Sequence, residues 1–181
     1  FRSIELAMRY SSPNLLQGLQ RLQAAGATHV LAVPLYPQYA LSSTETVNQQ
    51  LSALATNLKM TFDAVPAFYQ DPGFISSLVE SVQTSGALSR CDHLVMSFHG
   101  LPERHVKKTD GCGGKHCLSA PTCCDVIDSR NANCYRAQSV RTAHLLADGL
   151  GLKSEQWSLG FQSRLTRKWI QPFTDQVINQ L

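Results

Sequence analysis

Short apolar runs alternating with stretches of helical spacing restrict this chain to a narrow set of folds. The runs are Ile4–Met8, Val30–Leu35, Thr61–Pro66, His93–Phe98 and Trp157–Gln162. Each has strand length, and the segments between them carry apolar residues at helical intervals. A first helix is expected from Pro13 through Leu22, with Gly26 as its stop. Ser42-Ser43-Thr44-Glu45 places capping residues before a second helix through Val47, Leu51, Leu54 and Leu58. Asp71-Pro72-Gly73 opens a third with Pro in its first turn. A fourth is expected from about Arg136 to Leu150, and Thr174-Asp175 starts a last one. Strands separated by helices pair in parallel, because the connecting helix carries the chain back to the starting edge. The expected fold class is therefore α/β with parallel sheets.

At 181 residues the chain is long enough to bury a substantial core. Its 43% hydrophobic and 16% charged content is that of an ordinary globular protein. A formal charge of +3, without a dense Lys/Arg run, is too mild to argue for nucleic-acid binding. No apolar stretch approaches the length of a membrane span. The small, polar segment from Gly86 to Asp92 is the expected domain boundary.

His99 is the first chemical candidate. It closes the apolar run His93–Phe98, and Gly100 and Pro102 then turn the chain. In an open parallel sheet the carboxyl edge of a strand is where ligands bind, and an imidazole there can accept a proton near neutral pH or ligate a metal. A core histidine with a satisfied hydrogen bond is the plainer alternative.

Residues 109–134 break the regular pattern, being too long and aperiodic for an ordinary connection. Cys112, Cys117, Cys123 and Cys124 fall within them, and Cys134 closes them. Cys91, apart from the rest, is expected to be a small buried hydrophobe. Disulfides, a zinc site that also uses His116, and an iron–sulfur cluster all remain open for the clustered thiols.

Several stretches together resemble the ferrochelatases, which insert ferrous iron into a porphyrin. Ala7-Met8-Arg9-Tyr10 is similar to an early A-M-R-Y segment. Pro34-Leu35-Tyr36-Pro37-Gln38-Tyr39, followed by Ser42-Ser43-Thr44, resembles P-L-Y-P-Q-Y-S-x-S-T. Ser97-Phe98-His99-Gly100-Leu101-Pro102 with Arg104 matches S-F-H-G-L-P-x-R. Tyr135-Arg136-Ala137-Gln138 resembles the opening of the next helix. Phe161-Gln162-Ser163-Arg164, then Trp169-Ile170-Gln171-Pro172-Phe173-Thr174-Asp175, is similar to F-Q-S-R…W-L-Q-P-Y-T-D. The matches keep the family order and span nearly the whole chain.

The resemblance implies two similar doubly wound, Rossmann-like domains, both incomplete here. Residues 1–88 would be the later part of the first and residues 89–181 the earlier part of the second. It implies that His99 meets the metal and takes protons from the pyrrole nitrogens. Met8, Arg9, Tyr10, Tyr36, Gln38, Tyr39, Ser97, Gln162, Ser163, Arg164 and Trp169 would contact the porphyrin. Arg9 and Arg164, with Gln162 and Ser163, would face its propionates. Some bacterial members carry a cluster-binding cysteine insertion, which implies a [2Fe–2S] cluster on Cys117, Cys123, Cys124 and Cys134, with Cys112 as substitute. Ferrous iron would be the substrate, and the location cytoplasmic, with room for peripheral contact with the inner membrane. The turn Arg164-Leu165-Thr166-Arg167-Lys168-Trp169 departs from the family in being one residue shorter and lacking its Gly. The family's first strand and porphyrin-covering loop, and a later glutamate that partners the histidine, have no counterpart. The chain is therefore expected to be an internal fragment, inactive by itself. A cobalt or nickel tetrapyrrole chelatase and a haem- or cluster-binding sensor are the alternative functions; an intact His99 among the cleft motifs favours the iron-inserting enzyme.

Overall fold

A computed structural model describes residues 3–181, and its chain divides into two compact units. The first comprises Phe1–Pro37 with Leu41–Ala67, the second Gln38–Ala40 with Phe68–Leu181.

In the first unit, α1 (Leu15–Ala24), β1 (His29–Ala32), α2 (Thr46–Asn57) and β2 (Thr61–Ala64) follow one another. β1 and β2 pair in parallel, His29 opposite Thr61 and Ala32 opposite Ala64. Leu15, Leu19, Val30, Val47, Leu51, Ala55 and Met60 form the core beneath them. The Asn14 side chain accepts from the Gln17 N–H and the Gln17 side chain accepts from the Asn14 N–H, a reciprocal cap that starts α1 at Leu15. Gly26 leaves the helix with φ +81°.

Two local expectations are corrected here. Ile4–Met8 is not a strand: only Met8 makes a bridge, to Asn14, and Ile4 and Leu6 are 87% and 65% exposed. The segment lies instead against α1, where a Cβ on Gly18 would come within 2.9 Å of the Ala7 Cβ and Arg21 pairs with Glu5 at 2.9 Å. Alternation specifies a strand only where a neighbouring strand supplies a ladder. The run Ser42–Glu45 does not cap α2 through a side chain either. Leu41–Glu45 forms a π turn that runs into Thr46, whose hydroxyl bonds back to the Ser43 carbonyl at 3.1 Å.

The second unit contains α3 (Pro72–Thr84), β3 (Leu94–His99), α4 (Glu103–Lys108), α5 (Tyr135–Gly149), β4 (Trp157–Gln162) and α6 (Thr174–Ile178). Asp71 caps α3 through the Phe74 N–H, with Pro72 at the first position. α3 packs on α5 so closely that a Cβ on Gly149 would lie 2.6 Å from the Val79 Cγ2. The compact units thus divide ahead of the polar segment Gly86–Asp92. β3 and β4 are parallel, in register from Leu94–Trp157 to His99–Gln162. Met96, Ala143 and Ala147 fill the space between this pair and α5. Gly160 lets α6 approach: a Cβ there would sit 2.8 Å from the Thr174 Cα. Among the described residues, no helix is long and apolar enough to cross a membrane.

Candidate active site and cysteine loop

The ladder of β3 and β4 ends on His99 and Gln162, directly opposite each other at the carboxyl edge, and both are exposed. The chain then has to turn beneath a large ring. A Cβ on Gly100 would fall 2.6 Å from the Gln162 carbonyl oxygen and 3.2 Å from the Trp169 ring, so only glycine fits. Pro102 bridges to Trp169, and the Ile170 N–H donates to the Leu101 carbonyl at 2.9 Å. His99, Gln162 and Trp169 are thereby brought to one edge by backbone bonds alone.

Ser97, two residues before His99, shares its strand face and hydrogen-bonds Thr174 through its hydroxyl at 2.8 Å. Ser163 adopts a left-handed conformation, φ 63°. Arg164 forms two parallel hydrogen bonds to Asp175, at 2.9 and 2.8 Å, and stacks on Phe173 with its guanidinium 4.2 Å from the ring centre. Its charge is held within the protein by a carboxylate. Met8, Arg9, Tyr10 and Tyr36 belong to the first unit. Met8 and Tyr10 are exposed there, the Arg9 guanidinium lies 4.7 Å from the Tyr10 ring centre, and Tyr36 packs on the core. Gln38 and Tyr39 belong to the second unit and rest on α5. The Gln38 amide donates to Thr142 at 3.0 Å, and the Tyr39 N–H donates to the Gln138 side chain at 2.6 Å.

The cysteine segment has no regular elements between α4 and α5; two polar side chains organise it. Asp110 accepts the backbone N–H of Cys112, His116 and Cys117 at 2.6, 2.8 and 2.5 Å. Burial would raise the Asp110 carboxyl, but these three donors outweigh it and hold the pKa down to about 2. Asn131, fully buried, accepts from the Asp128 N–H and donates to the Cys123 and Val126 carbonyls at 2.8–2.9 Å. The two ends of the loop meet where the Gly111 N–H donates to the Arg130 carbonyl at 2.8 Å.

Cys117, Cys123, Cys124 and Cys134 are buried in one cluster, whereas Cys112 is exposed. All six cysteines are free thiols. Cys91 is exposed, not buried as expected: it follows a surface turn at Leu88–Arg90, three residues ahead of β3. The Sγ atoms of Cys123 and Cys124 are 3.7 Å apart, and the Cys134 thiol interacts with those of Cys117 and Cys124. The Leu118 and Ala137 N–H groups point at the sulfurs of Cys123 and Cys134, at 3.4 Å each, and Arg136 reaches the Cys124 sulfur at 3.0 Å. Burial pushes the Cys117 thiol up to about 11 and raises Cys123 as well; Cys124 is raised by its bond to Cys134 and by burial. Such thiols stay protonated until a cation displaces the protons. Among the described residues, no three His, Cys, Asp or Glu side chains are grouped tightly enough for a single ion. The four buried sulfurs, three of them met by N–H or guanidinium donors, are the donor set a sulfur-ligated group would use here.

Sequence patterns marked Tyr135 and Gln138 only as part of a stretch opening a helix, with no role, and did not single out Thr142, Asp110 or Asn131. The available signal was on α5, whose Gln138, Ser139 and Thr142 are polar yet lie on the face that meets the core.

Fold and site together define an α/β protein in which His99, Gln162 and Trp169 meet at the carboxyl edge of a parallel strand pair, beside a cysteine loop. The family model for ferrochelatase matches residues 2–181. A curated protein named ferrochelatase from Ectopseudomonas mendocina (strain ymp) is 44% identical over 98% of this chain and 53% of its own length. Those from Stutzerimonas stutzeri (strain A1501) and Pseudomonas aeruginosa (strain UCBPP-PA14), with the same coverage, are 43% and 41% identical. The chain belongs to the ferrochelatase family, and it spans about half the length of the curated relatives it matches.

Proposed function

We propose that the full-length protein inserts ferrous iron into protoporphyrin, and that His99 accepts the protons displaced from the pyrrole nitrogens. The placement of His99 carries this reading: an exposed imidazole at the end of β3, opposite Gln162 and beside the Trp169 segment. Insertion exchanges two pyrrole N–H protons for one Fe²⁺ with no change of oxidation state, so the chemistry needs a base and a rigid grip on the ring. Neutral imidazole is suited to the first near pH 7. Met8, Tyr10, Tyr36, Tyr39 and Trp169 supply apolar and aromatic area for the second. Arg9, Gln162, Ser163 and Arg164 are the propionate partners in this reading, and Arg164 would have to share or leave Asp175 to serve.

The same reading assigns Cys117, Cys123, Cys124 and Cys134 to a [2Fe–2S] cluster. Their shared burial and the donors aimed at three of the sulfurs support it. When bound, the cluster would supply structural cross-linking rather than electrons, since the insertion is redox-neutral. The protein would act in the cytoplasm, either free or peripheral to the inner membrane.

The test is iron-dependent loss of protoporphyrin fluorescence by the full-length protein under anaerobic conditions, compared with His99→Ala. Turnover that disappears in the variant supports both the activity and the base. Turnover that persists removes His99 from that role. Porphyrin binding without turnover in the unaltered protein would favour a sensor.

A further inference from the structure

The first turns of α5 contain a buried polar side chain with two partners of different origin. Gln138 is 2% exposed. Its amide oxygen accepts the Tyr39 N–H at 2.6 Å, and its amide nitrogen donates to the Ala132 carbonyl at 2.6 Å. Tyr39 lies in the segment proposed to contact porphyrin. Ala132 lies in the cysteine loop, between the buried Asn131 and Cys134.

We propose that Gln138 is a positioning residue through which the folded cysteine loop holds the Gln38–Tyr39 segment in place for the porphyrin. An amide has one acceptor and one donor end, so fixing either end fixes the other. While the loop is folded, the Ala132 carbonyl takes the donor end and the oxygen must face Tyr39. When the loop loosens, the amide is free to rotate and the Tyr39 N–H loses its defined acceptor. Thr142 holds the neighbouring residue: its hydroxyl donates to the Tyr69 carbonyl at 2.8 Å and accepts from Gln38 at 3.0 Å. Buried and satisfied, such a network specifies one arrangement; half-satisfied, it does not.

The same turn reaches the other side of the site. Tyr135 is the first residue of α5, and it packs on the same cluster as Phe98, the neighbour of His99. The loop that ends at Cys134 is therefore one residue from a side chain near the His99 backbone and four from one on the substrate segment. Support of this kind by a second layer of side chains is what keeps a site in productive geometry.

This inference rests on the proposed function, and the test separates the two. Amide hydrogen exchange of the Tyr39-containing peptide is measured by mass spectrometry on the full-length, porphyrin-free protein, and steady-state chelation is measured in parallel. Gln138→Leu should speed exchange at Tyr39 at least about tenfold, because the amide loses its acceptor. It should raise KM for protoporphyrin severalfold with kcat changed by less than about twofold. Gln138→Glu, whose carboxyl in either protonation state still accepts the Tyr39 N–H, should keep exchange at Tyr39 slow. Asn131→Ala, which loosens the loop without touching Tyr39, should also speed exchange at Tyr39. Tyr39 exchange that stays slow in folded Gln138→Leu, or in Asn131→Ala, overturns the proposal, as does a loss confined to kcat. A protein that chelates nothing yet shows the exchange pattern would refute the function and leave the positioning device standing.

Discussion

β3 and the cysteine loop sit close together in the sequence and place their chemistry by opposite means. β3 holds His99 with a parallel ladder to β4, a backbone device that is indifferent to most of the side chains it carries. The loop has no ladder, and Asp110 and Asn131 supply from side chains the bonds that a sheet would supply from its backbone. On β3 a side chain is free to serve chemistry because structure does not need it. In the loop a polar side chain is committed to structure. The expected consequence is that chemistry and stability separate cleanly at the sheet edge and fail together in the loop.

The sharpest way to break this contrast is His99→Ala. His99 is exposed, and His99 itself is not needed for the ladder. On the role proposed for His99, chelation by the full-length protein should fall by about 10²- to 10⁴-fold, the usual worth of a positioned base, with Tm unchanged. A variant that loses Tm along with activity would show that the edge is structural after all.

Asp110→Ala is the complement. It strands three backbone N–H groups at once, and even with water reaching one of them the loss should be about 3 kcal/mol. The loop should become the first site of limited proteolysis and, on the cluster assignment proposed above, iron and acid-labile sulfide should be lost from the purified protein. Intact proteolytic resistance would mean that the thiol cluster, not the carboxylate, holds the loop together. Within the ladder, Gly160→Ala tests the same point from the other side. The added methyl would meet the Thr174 Cα and its hydroxyl oxygen, each at 2.8 Å. Overpacking there should cost about 1–3 kcal/mol in global stability, seen as a lower Tm with the loop's protease resistance preserved.

Regularity decides what could be read ahead of the structure. The pair of strands behind the site announced itself through the runs His93–Phe98 and Trp157–Gln162, and β4 spans Trp157–Gln162 with no shift. Asp71-Pro72 marked the start of α3 because the cap and the proline are both local devices. Ile4–Met8 carries an equally good pattern and forms no strand, because a ladder requires a partner that a local pattern does not report. The loop was legible only as an interruption: its cysteines were visible, but nothing local says that Asp110 reaches forward to Cys117 or that Asn131 reaches back to Cys123. The roles of Gln138 and Thr142 escaped for a related reason. Polar residues on a helix suggest a solvated face, and only the packing of Gln38, Tyr39 and Tyr69 turns that face inward.

The smallest expected effect concerns α4, which joins the two regions. His105 lies within it, and among the described residues its buried Nδ1 has no hydrogen-bond partner. Burial lowers the His105 pKa from its ordinary 6.5, and the neighbouring charges of Arg104 and Lys108 lower it further. The unfolded chain therefore binds a proton more readily than the folded one as pH falls through 6.5. Stability must decline on acidification through that value, until the folded imidazole is protonated as well. The neutral ring is the form the fold prefers, so the contribution is fully present above pH 6.5 and lost below. Urea unfolding midpoints measured at intervals between pH 7.5 and 5.5 should drift downward, and His105→Gln should flatten part of that slope. If the slope survives unchanged in the variant, the acid sensitivity lies elsewhere, and α4 belongs with the sheet edge, where side chains are not committed to structure.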